Sequence, residues 1–148
     1  MKTSKINTFL FFKLPAAWFC GVRVKEISEK SCITTVKHRW VNQNPFKSMF
    51  WAVQGMAAEL STGTLVMQNS TRKGHKISML VISNSAVFYK KARGRINFRC
   101  DNGDLVKEAV EKALETGLPQ KFTLKSIGKD IQNDVVSTFD FQWSIKVK

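Results

Sequence analysis

A single carboxylate stands in an otherwise nearly uncharged stretch in the first half of the chain. Glu59 follows two alanines, and the only other charged residue between positions 44 and 63 is Lys47. A carboxylate held partly out of water has a raised pKa and can serve as a general base or a nucleophile. A glutamate here could equally accept hydrogen bonds from a lysine or arginine. The residue alone therefore leaves a catalytic and a structural role open.

The residues around Glu59 predict a long helix with two different sides. Asn42, Asn44 and Pro45 break the chain before it, and residues 64–76 are expected to form a polar connection after it. At the helical step, the small residues Ser48, Ala52, Gly55 and Thr62 fall on the side of Glu59, which permits close approach of another backbone, a second subunit or a ligand. The large side chains fall in an arc of about 120° and predict a core face: Phe46, Met49, Phe50, Val53, Met56, Ala57 and Leu60.

The segments on either side of this helix predict one domain over residues 1–148. The N-terminal apolar run is interrupted by Lys13 and Pro15, which favours an amphipathic helix packed on the domain over a signal peptide. A hairpin with its turn at Glu29 and Lys30 follows. No segment approaches the roughly 18 continuous apolar residues that a membrane span needs.

Four more strands and a second helix are expected after residue 76. Two strands are expected to join through Asn84 and Ser85, and the second places Ile96, Phe98 and Cys100 on one face. The next helix has Asp104 as its expected N-cap. Two final strands flank residues 128–134, the last with period-two order: Phe139, Phe141, Trp143, Ile145 and Val147 on one face. Six strands and one apolar helix indicate an α+β architecture, an antiparallel β-sheet wrapped around a long central α-helix.

Charge and cysteine usage narrow the class of partner. The 148 residues carry 24 basic and 11 acidic side chains, a net charge of +13, which favours an anionic partner such as nucleic acid, an anionic membrane or a phosphate-bearing small molecule. The three cysteines and two histidines show no metal-ligand spacing. An odd cysteine count argues against a disulfide framework and fits a reducing, cytoplasmic location.

The order of helix, hairpin, long helix and strands, with one acid on the long helix, resembles the hotdog fold. More narrowly, residues 6–148 resemble the acyl-CoA thioesterases of the phenylacetate-degradation type and their uncharacterised relatives. The resemblance implies that Glu59 acts on the thioester as base or nucleophile, that Asn44 positions water or the carbonyl, and that the backbone N–H of Trp51 polarises the carbonyl. The chain departs from the family's His-Gly-Gly, because Phe50, Trp51 and Ala52 stand there, and the Trp51 ring would occupy space that the family leaves for the acyl thioester.

Basic residues cluster where those thioesterases carry a basic residue, a small residue and a glycine. No acidic residue lies between Glu59 and Asp101. The resemblance places Lys90, Lys91, Arg93 and Arg95 near the phosphates of CoA, which lysine and arginine are suited to bind. The alternative is that these side chains form the solvated face of a strand.

The sequence thus predicts a hotdog protein, a homodimer or homotetramer, that binds an acyl-CoA or related acyl thioester and hydrolyses it without a metal or redox cofactor. A non-catalytic binder of acyl-CoA or lipid, with Glu59 structural, is the second hypothesis. A nucleic-acid-binding protein is the third. Phe88 and Tyr89 beside two lysines favour it, but no helix-turn-helix, zinc-finger or RNP-like signature appears.

Overall fold

The computed structural model describes residues 2–71 and 74–148, and these form helices packed on one six-stranded antiparallel sheet. The elements in chain order are α1 Thr3–Lys13, α2 Pro15–Phe19, β1 Arg23–Ile27, β2 Cys32–Lys37, a 3-10 turn Trp40–Asn42, α3 Trp51–Thr71, β3 Ile77–Phe88, β4 Arg95–Cys100, α4 Gly103–Thr116, β5 Gln120–Lys129 and β6 Val135–Val147. The strand order is β1-β2-β4-β5-β6-β3, with every neighbouring pair antiparallel. Helix α3 packs against β1, β2, β4, β5 and β6, which confirms the predicted α+β architecture.

The central helix α3 is buried on most of its surface. Polar side chains attach it to the sheet: the Thr34 hydroxyl donates to the carbonyl of Ala57 at 2.6 Å, and the hydroxyls of Ser61 and Ser126 lie 2.8 Å apart. The predicted close approach to its small side is made by β6, because Trp143 Nε1 donates to Thr62 Oγ1 at 3.1 Å. Its polar residues are thus matched to partners on the sheet.

Helix α3 begins later and ends later than the sequence predicts. It begins at Trp51 because the loop before it is held by hydrogen bonds to distant backbone, including Met49 N to Ala92 O at 2.8 Å. Phe46 and Phe50 are consequently exposed, so their assignment to the core face was wrong.

The expected connection from residue 64 was also wrong, since the helix continues to Thr71. Its polar side chains bond back to the helix: Asn69 Nδ2 donates to Leu65 O and Ser70 Oγ to Val66 O. Arg72 and Lys73, also in that expected connection, lie outside the described residues.

The strands follow the predicted alternation but not every predicted join. The β1–β2 hairpin, the buried face of β4 at Ile96, Phe98 and Cys100, and the β5–β6 pair are confirmed. The join through Asn84 and Ser85 was wrong, because both lie within β3 and pair with β6. The break between β3 and β4 falls instead at residues 89–94.

The start of α4 also differs from the prediction. Asn102, rather than Asp104, is the N-cap, and its side-chain oxygen accepts the backbone N–H of Lys125 at 3.0 Å. Asp104 lies in the first turn. The cap position therefore serves to tie α4 to β5.

The N-terminal segment packs on the domain, as predicted, but as two helices. The chain turns at Leu14, and Pro15 opens α2. Ile6, Leu10 and Ala17 are buried, while Asn7 both donates to and accepts from the backbone of Val24 at 2.9 Å. Within the described residues, no helix is both long and apolar enough to cross a membrane.

Candidate active site

Glu59 occupies the middle of α3, not its end. It is the ninth of the 21 residues of the helix and is half-buried. No residue in the described part of the chain forms a hydrogen bond or ion pair with its carboxylate. Burial raises the pKa of the Glu59 carboxyl above its ordinary value, because an apolar environment disfavours the charged form. The lysine or arginine partner of the structural hypothesis is absent among these residues.

The walls around Glu59 are mostly apolar and come in large part from the N-terminal helices, with Lys13 also lining the larger of the two cavities there. Two adjoining cavities of about 80 and 290 Å³ border its side chain. Phe9 and Leu14 line the smaller cavity together with Met67 and Met79, and the α1–α2 junction with Met56 lines the larger. The carboxylate therefore faces space that would accept hydrocarbon.

Gly63 makes room for the carboxylate. A Cβ at this position would lie 3.4 Å from Glu59 Oε1 and 3.2 Å from the ring of Trp143. Sequence reasoning missed Gly63 and the wall formed by α1 and α2. The glycine is four residues after Glu59, hence on the same side of the helix, and that spacing was the available signal.

The two adjoining cavities form the cleft of Glu59. Apart from this cleft, a second cavity, of about 460 Å³, lies between the loop before α3 and the segment after β3. Asn44, Trp51, Lys90 and Lys91 all line it, so the structure brings four of the seven predicted site residues together. Glu59, Arg93 and Arg95 do not line it.

Trp51 is the first residue of α3, where backbone N–H groups have no acceptor within the helix. Among the described residues none accepts its N–H, whereas Phe50 O accepts from Val53 and Gln54. The Trp51 side chain is 56% exposed and meets the Phe50 ring edge-on at 6.1 Å. The amide is thus available at the cavity, and the ring forms part of the cavity wall.

Asn44 is committed to its own loop. Its Oδ1 accepts from the backbone N–H groups of Phe46 and Ser48 at 2.9 and 3.3 Å, and its Nδ2 donates to Ser48 Oγ at 3.0 Å. These bonds shape the turn that brings the chain into α3. Asn44 therefore positions the loop, whatever else it contacts in the cavity.

The four predicted phosphate-binding cations do not converge. Lys90 Nζ lies 2.7 Å from a carboxylate oxygen of Asp130 and 3.1 Å from one of Asp134. These hydrogen bonds raise the pKa of Lys90, and the hydrogen bond with Lys90 lowers the pKa of Asp130. Arg95 Nη1 donates to Thr35 Oγ1 at 3.2 Å across the neighbouring strand. Lys91 and Arg93 are exposed and have no carboxylate within 4.0 Å among the described residues.

Two of the three cysteines, Cys32 and Cys100, are poor nucleophiles in this environment. Cys32 and Cys100 face each other across β2 and β4 as free thiols. Burial raises the pKa of Cys32 to about 12 and that of Cys100 to about 11. Since the thiolate is the reactive form, a carboxylate is the better candidate for nucleophile or base.

The amide of Trp51 and the carboxylate of Glu59 lie far apart within one chain. Eight residues separate them along α3, and eight helical steps amount to about 12 Å. A base and an oxyanion donor must both come within about 3 Å of the reacting group. Because the two backbone positions are this far apart, we expect the two groups to meet the same thioester only when they come from different copies of the chain.

The similarity of this chain to known proteins extends over nearly its whole length. A family described as "Domain of unknown function (DUF4442)" matches residues 3–145, and no curated protein matches. Among similar solved structures, a Pseudomonas aeruginosa protein of unknown function, named a probable thioesterase, is 17% identical with a TM-score of 0.83, over 98% of this chain and 96% of that one. A Chlorobaculum tepidum protein of unknown function is 15% identical with a TM-score of 0.84, over 99% of this chain and 94% of that one. A thioesterase from Haemophilus influenzae is 11% identical with a TM-score of 0.76, over 99% of this chain and 92% of that one. At these identities the likeness establishes the hotdog fold.

Proposed function

The chain belongs to the DUF4442 family and has the hotdog fold of thioesterases, and we propose that it hydrolyses an acyl thioester with Glu59 as base or nucleophile. The observation that carries this proposal is the Glu59 carboxylate itself: half-buried in an apolar cleft, without a described partner, and with a raised pKa. A carboxylate prepared in this way is more basic than an exposed one and has access to a reacting carbonyl.

The reaction has two chemically complete forms. As a base, the Glu59 carboxylate takes a proton from water, and the resulting hydroxide attacks the thioester carbon. As a nucleophile, the carboxylate attacks that carbon itself and forms an anhydride, which water then hydrolyses. In both forms the C–S bond breaks, and an N–H donor stabilises the negative charge that develops on the carbonyl oxygen. The departing thiolate takes its proton from the Glu59 carboxyl in the first form, and from the water that hydrolyses the anhydride in the second.

Two copies of the chain would supply the groups that one copy keeps apart. Strand β3 lies at the end of the strand order, and only β6 pairs with it. Leu80, Ile82, Val87 and Phe88 on this edge are exposed apolar side chains, and an exposed apolar edge favours pairing with another strand. We infer a two-fold dimer along β3 in which Trp51 N–H of one copy serves the cleft with Glu59 of the other.

The positive charge at the second cavity supports CoA as the thiol carrier. Lys91 lines the cavity, and Arg93 follows two residues later; neither charge is balanced by a described carboxylate. Lys90 is already paired with Asp130 and Asp134. We therefore assign the CoA phosphates to Lys91 and Arg93 rather than to Lys90. The free thiols fit a reducing compartment, and we propose the cytoplasm.

Steady-state hydrolysis of a panel of acyl-CoA esters tests this function. Wild type should hydrolyse at least one ester, and Glu59→Gln should lower kcat by about 10²–10⁴. Glu115→Gln is the matched control, since it makes the same chemical change at an exposed site on α4. Equal activity of wild type and Glu59→Gln would reject the role of Glu59.

A non-catalytic acyl-CoA binder is the second candidate. Trp51 and its neighbours stand where hotdog thioesterases carry His-Gly-Gly, and this departure favours binding without turnover. Tight binding of an acyl-CoA by calorimetry, with no hydrolysis of any ester in the panel, would favour the binder over the enzyme.

A further inference from the structure

The last residues of α1 and α2 and the first residue of the 3-10 turn include exposed aromatic side chains. Trp40 is 84% exposed, Phe12 70% and Phe19 67%. We call these three residues the aromatic tip. Such large apolar side chains are seldom left in water without a partner, and none of the three lines the cavities around Glu59 or Asn44.

Hydrogen bonds and ring contacts hold the parts of this surface together. Asn42 Nδ2 donates to Cys20 O at 2.9 Å, which fixes the turn bearing Trp40 beside the end of α2. Phe11 contacts both Phe12 and Trp18 edge-on, with ring centroids 4.9 and 5.4 Å apart. The aromatic tip is therefore a preorganised surface rather than a set of loose side chains.

Cations that form no ion pair with a described carboxylate lie next to the aromatic tip in sequence or pack on its rings; one of them, Arg23, donates from Nη1 to the carbonyls of Trp18 and Val22. Arg23 lies over the Trp18 ring at 3.3 Å; burial, and then the nearby charge of Arg39, lower the pKa of its guanidinium. Arg39 packs against Gly21, and Lys13 ends α1. In the described chain no carboxylate forms an ion pair with any of these three cations.

The sequence around the aromatic tip contains no acidic residue that could neutralise it. The first acidic residue of the chain is Glu26, and residues 30–58 contain none. Those two stretches, residues 1–25 and 30–58, include α1, α2 and the turn at Trp40. The segments that carry the aromatic tip therefore contribute basic side chains and no acidic ones to the surface around it.

We propose that the aromatic tip binds the surface of an anionic lipid bilayer, with the three rings inserted at the headgroup level and Arg23, Arg39 and Lys13 against lipid phosphates. Aromatic side chains beside lysines and arginines are suited to this interface. A second copy of the chain is disfavoured, since two-fold contact would place the same unpaired cations against each other. The protruding rings also fit a deformable lipid surface better than a preformed protein groove. This inference does not depend on hydrolysis by Glu59.

Vesicle flotation with the full chain tests the proposal. Wild type should bind vesicles of phosphatidylcholine and phosphatidylglycerol at least tenfold more tightly than vesicles of phosphatidylcholine alone, since each cation near the surface contributes about fivefold. The triple variant Phe12→Ser, Phe19→Ser, Trp40→Ser should bind the anionic vesicles at least about tenfold more weakly. Arg39→Gln should lower the affinity for anionic vesicles about fivefold and change the affinity for neutral vesicles little.

The matched control is Leu118→Ser with Ile131→Ser, which removes two apolar side chains that are 63% and 80% exposed in other loops. Its binding should equal that of wild type. Equal binding of neutral and anionic vesicles, or of the triple variant and wild type, would overturn the proposal. It would also be overturned if inorganic phosphate, at constant ionic strength, displaced the protein from vesicles. A triple variant with a smaller mass in solution than wild type would instead make the aromatic tip an interface between copies.

Discussion

A site shared between two copies of the chain can be tested by complementation of two inactive variants. Glu59→Gln removes the carboxylate, and Trp51→Pro removes the backbone N–H. Trp51 opens α3, and proline is well tolerated at a first helical position because that N–H has no acceptor within the helix. Both variants should therefore fold and pair, while each homodimer loses about 10²–10⁴ in kcat.

The expected activity of the mixed dimer follows from the separation along α3. Eight residues, about 12 Å, keep the two groups of one chain apart. In a mixed dimer, one cleft combines Glu59 from the proline variant with the Trp51 amide from the other chain. The second cleft lacks both groups. One intact cleft of two gives about half of the wild-type kcat per dimer.

The assay uses co-expression with two different affinity tags, sequential purification and steady-state hydrolysis of the acyl-CoA ester that wild type accepts best. Trp51→Ala separates the ring from the amide, because it keeps the N–H, and its homodimer should exceed the activity of Trp51→Pro. A mixed dimer that is folded, of dimeric mass and as inactive as both parents would refute the shared site.

Three further perturbations probe the carboxylate, its surroundings and the CoA-binding cations. Burial raises the folded-state pKa of Glu59, so wild type should lose stability as pH rises from the pKa of Glu59 in the unfolded chain through its pKa in the folded chain. In urea unfolding, Glu59→Gln should therefore be more stable than wild type at pH 8 but not at pH 4. Gly63→Ala would press on the ring of Trp143 and bring a methyl group into contact with Glu59 Oε1. We expect a cost of about 1–3 kcal/mol in urea unfolding and a lower kcat, and unchanged values of both would contradict the packing argument. Lys91→Ala and Arg93→Ala should raise KM for acyl-CoA but not for an acyl-pantetheine thioester, which lacks the nucleotide phosphates; an equal rise for both substrates would place the phosphates elsewhere.

Local patterns in the sequence predict most of the strands correctly. The alternation of Ile96, Phe98 and Cys100 with polar residues fixes the buried face of β4, and that of Phe139 and Phe141 fixes β6. Period-two order carries this information because successive side chains in a strand point to opposite faces. The existence of the helix around Glu59 is predictable from a different period, since its apolar and small sides recur about every 3.6 residues.

The helix ends and the cation assignments depend on contacts between residues distant in sequence. The start of α3 is set by Met49 N bonding to Ala92 O, which no local pattern reveals. Lys90 finds Asp130 forty positions later, so a residue predicted to bind phosphate already has a carboxylate partner. The prediction of where α3 ends was wrong for a different reason. Polar side chains in the last turns are typical of a loop, but here they are buried and bond to carbonyls of the helix.

The environment of Glu59 itself bears on its role more strongly than the resemblance does. The chain has 24 basic residues, and its exposed carboxylates find them readily: Asp101 pairs with Arg99, and Asp140 with Lys125. Glu59 is different, since α1 and α2 cover it mostly with apolar side chains; Lys13 lines the larger cavity beside it, but no described cation forms an ion pair with its carboxylate. An unpaired carboxylate in such a place lowers the stability of the fold, and a glutamine there would not carry that cost. A structural glutamate gains no ion pair from this arrangement, whereas the base or nucleophile that we propose would use the raised pKa and the open cleft.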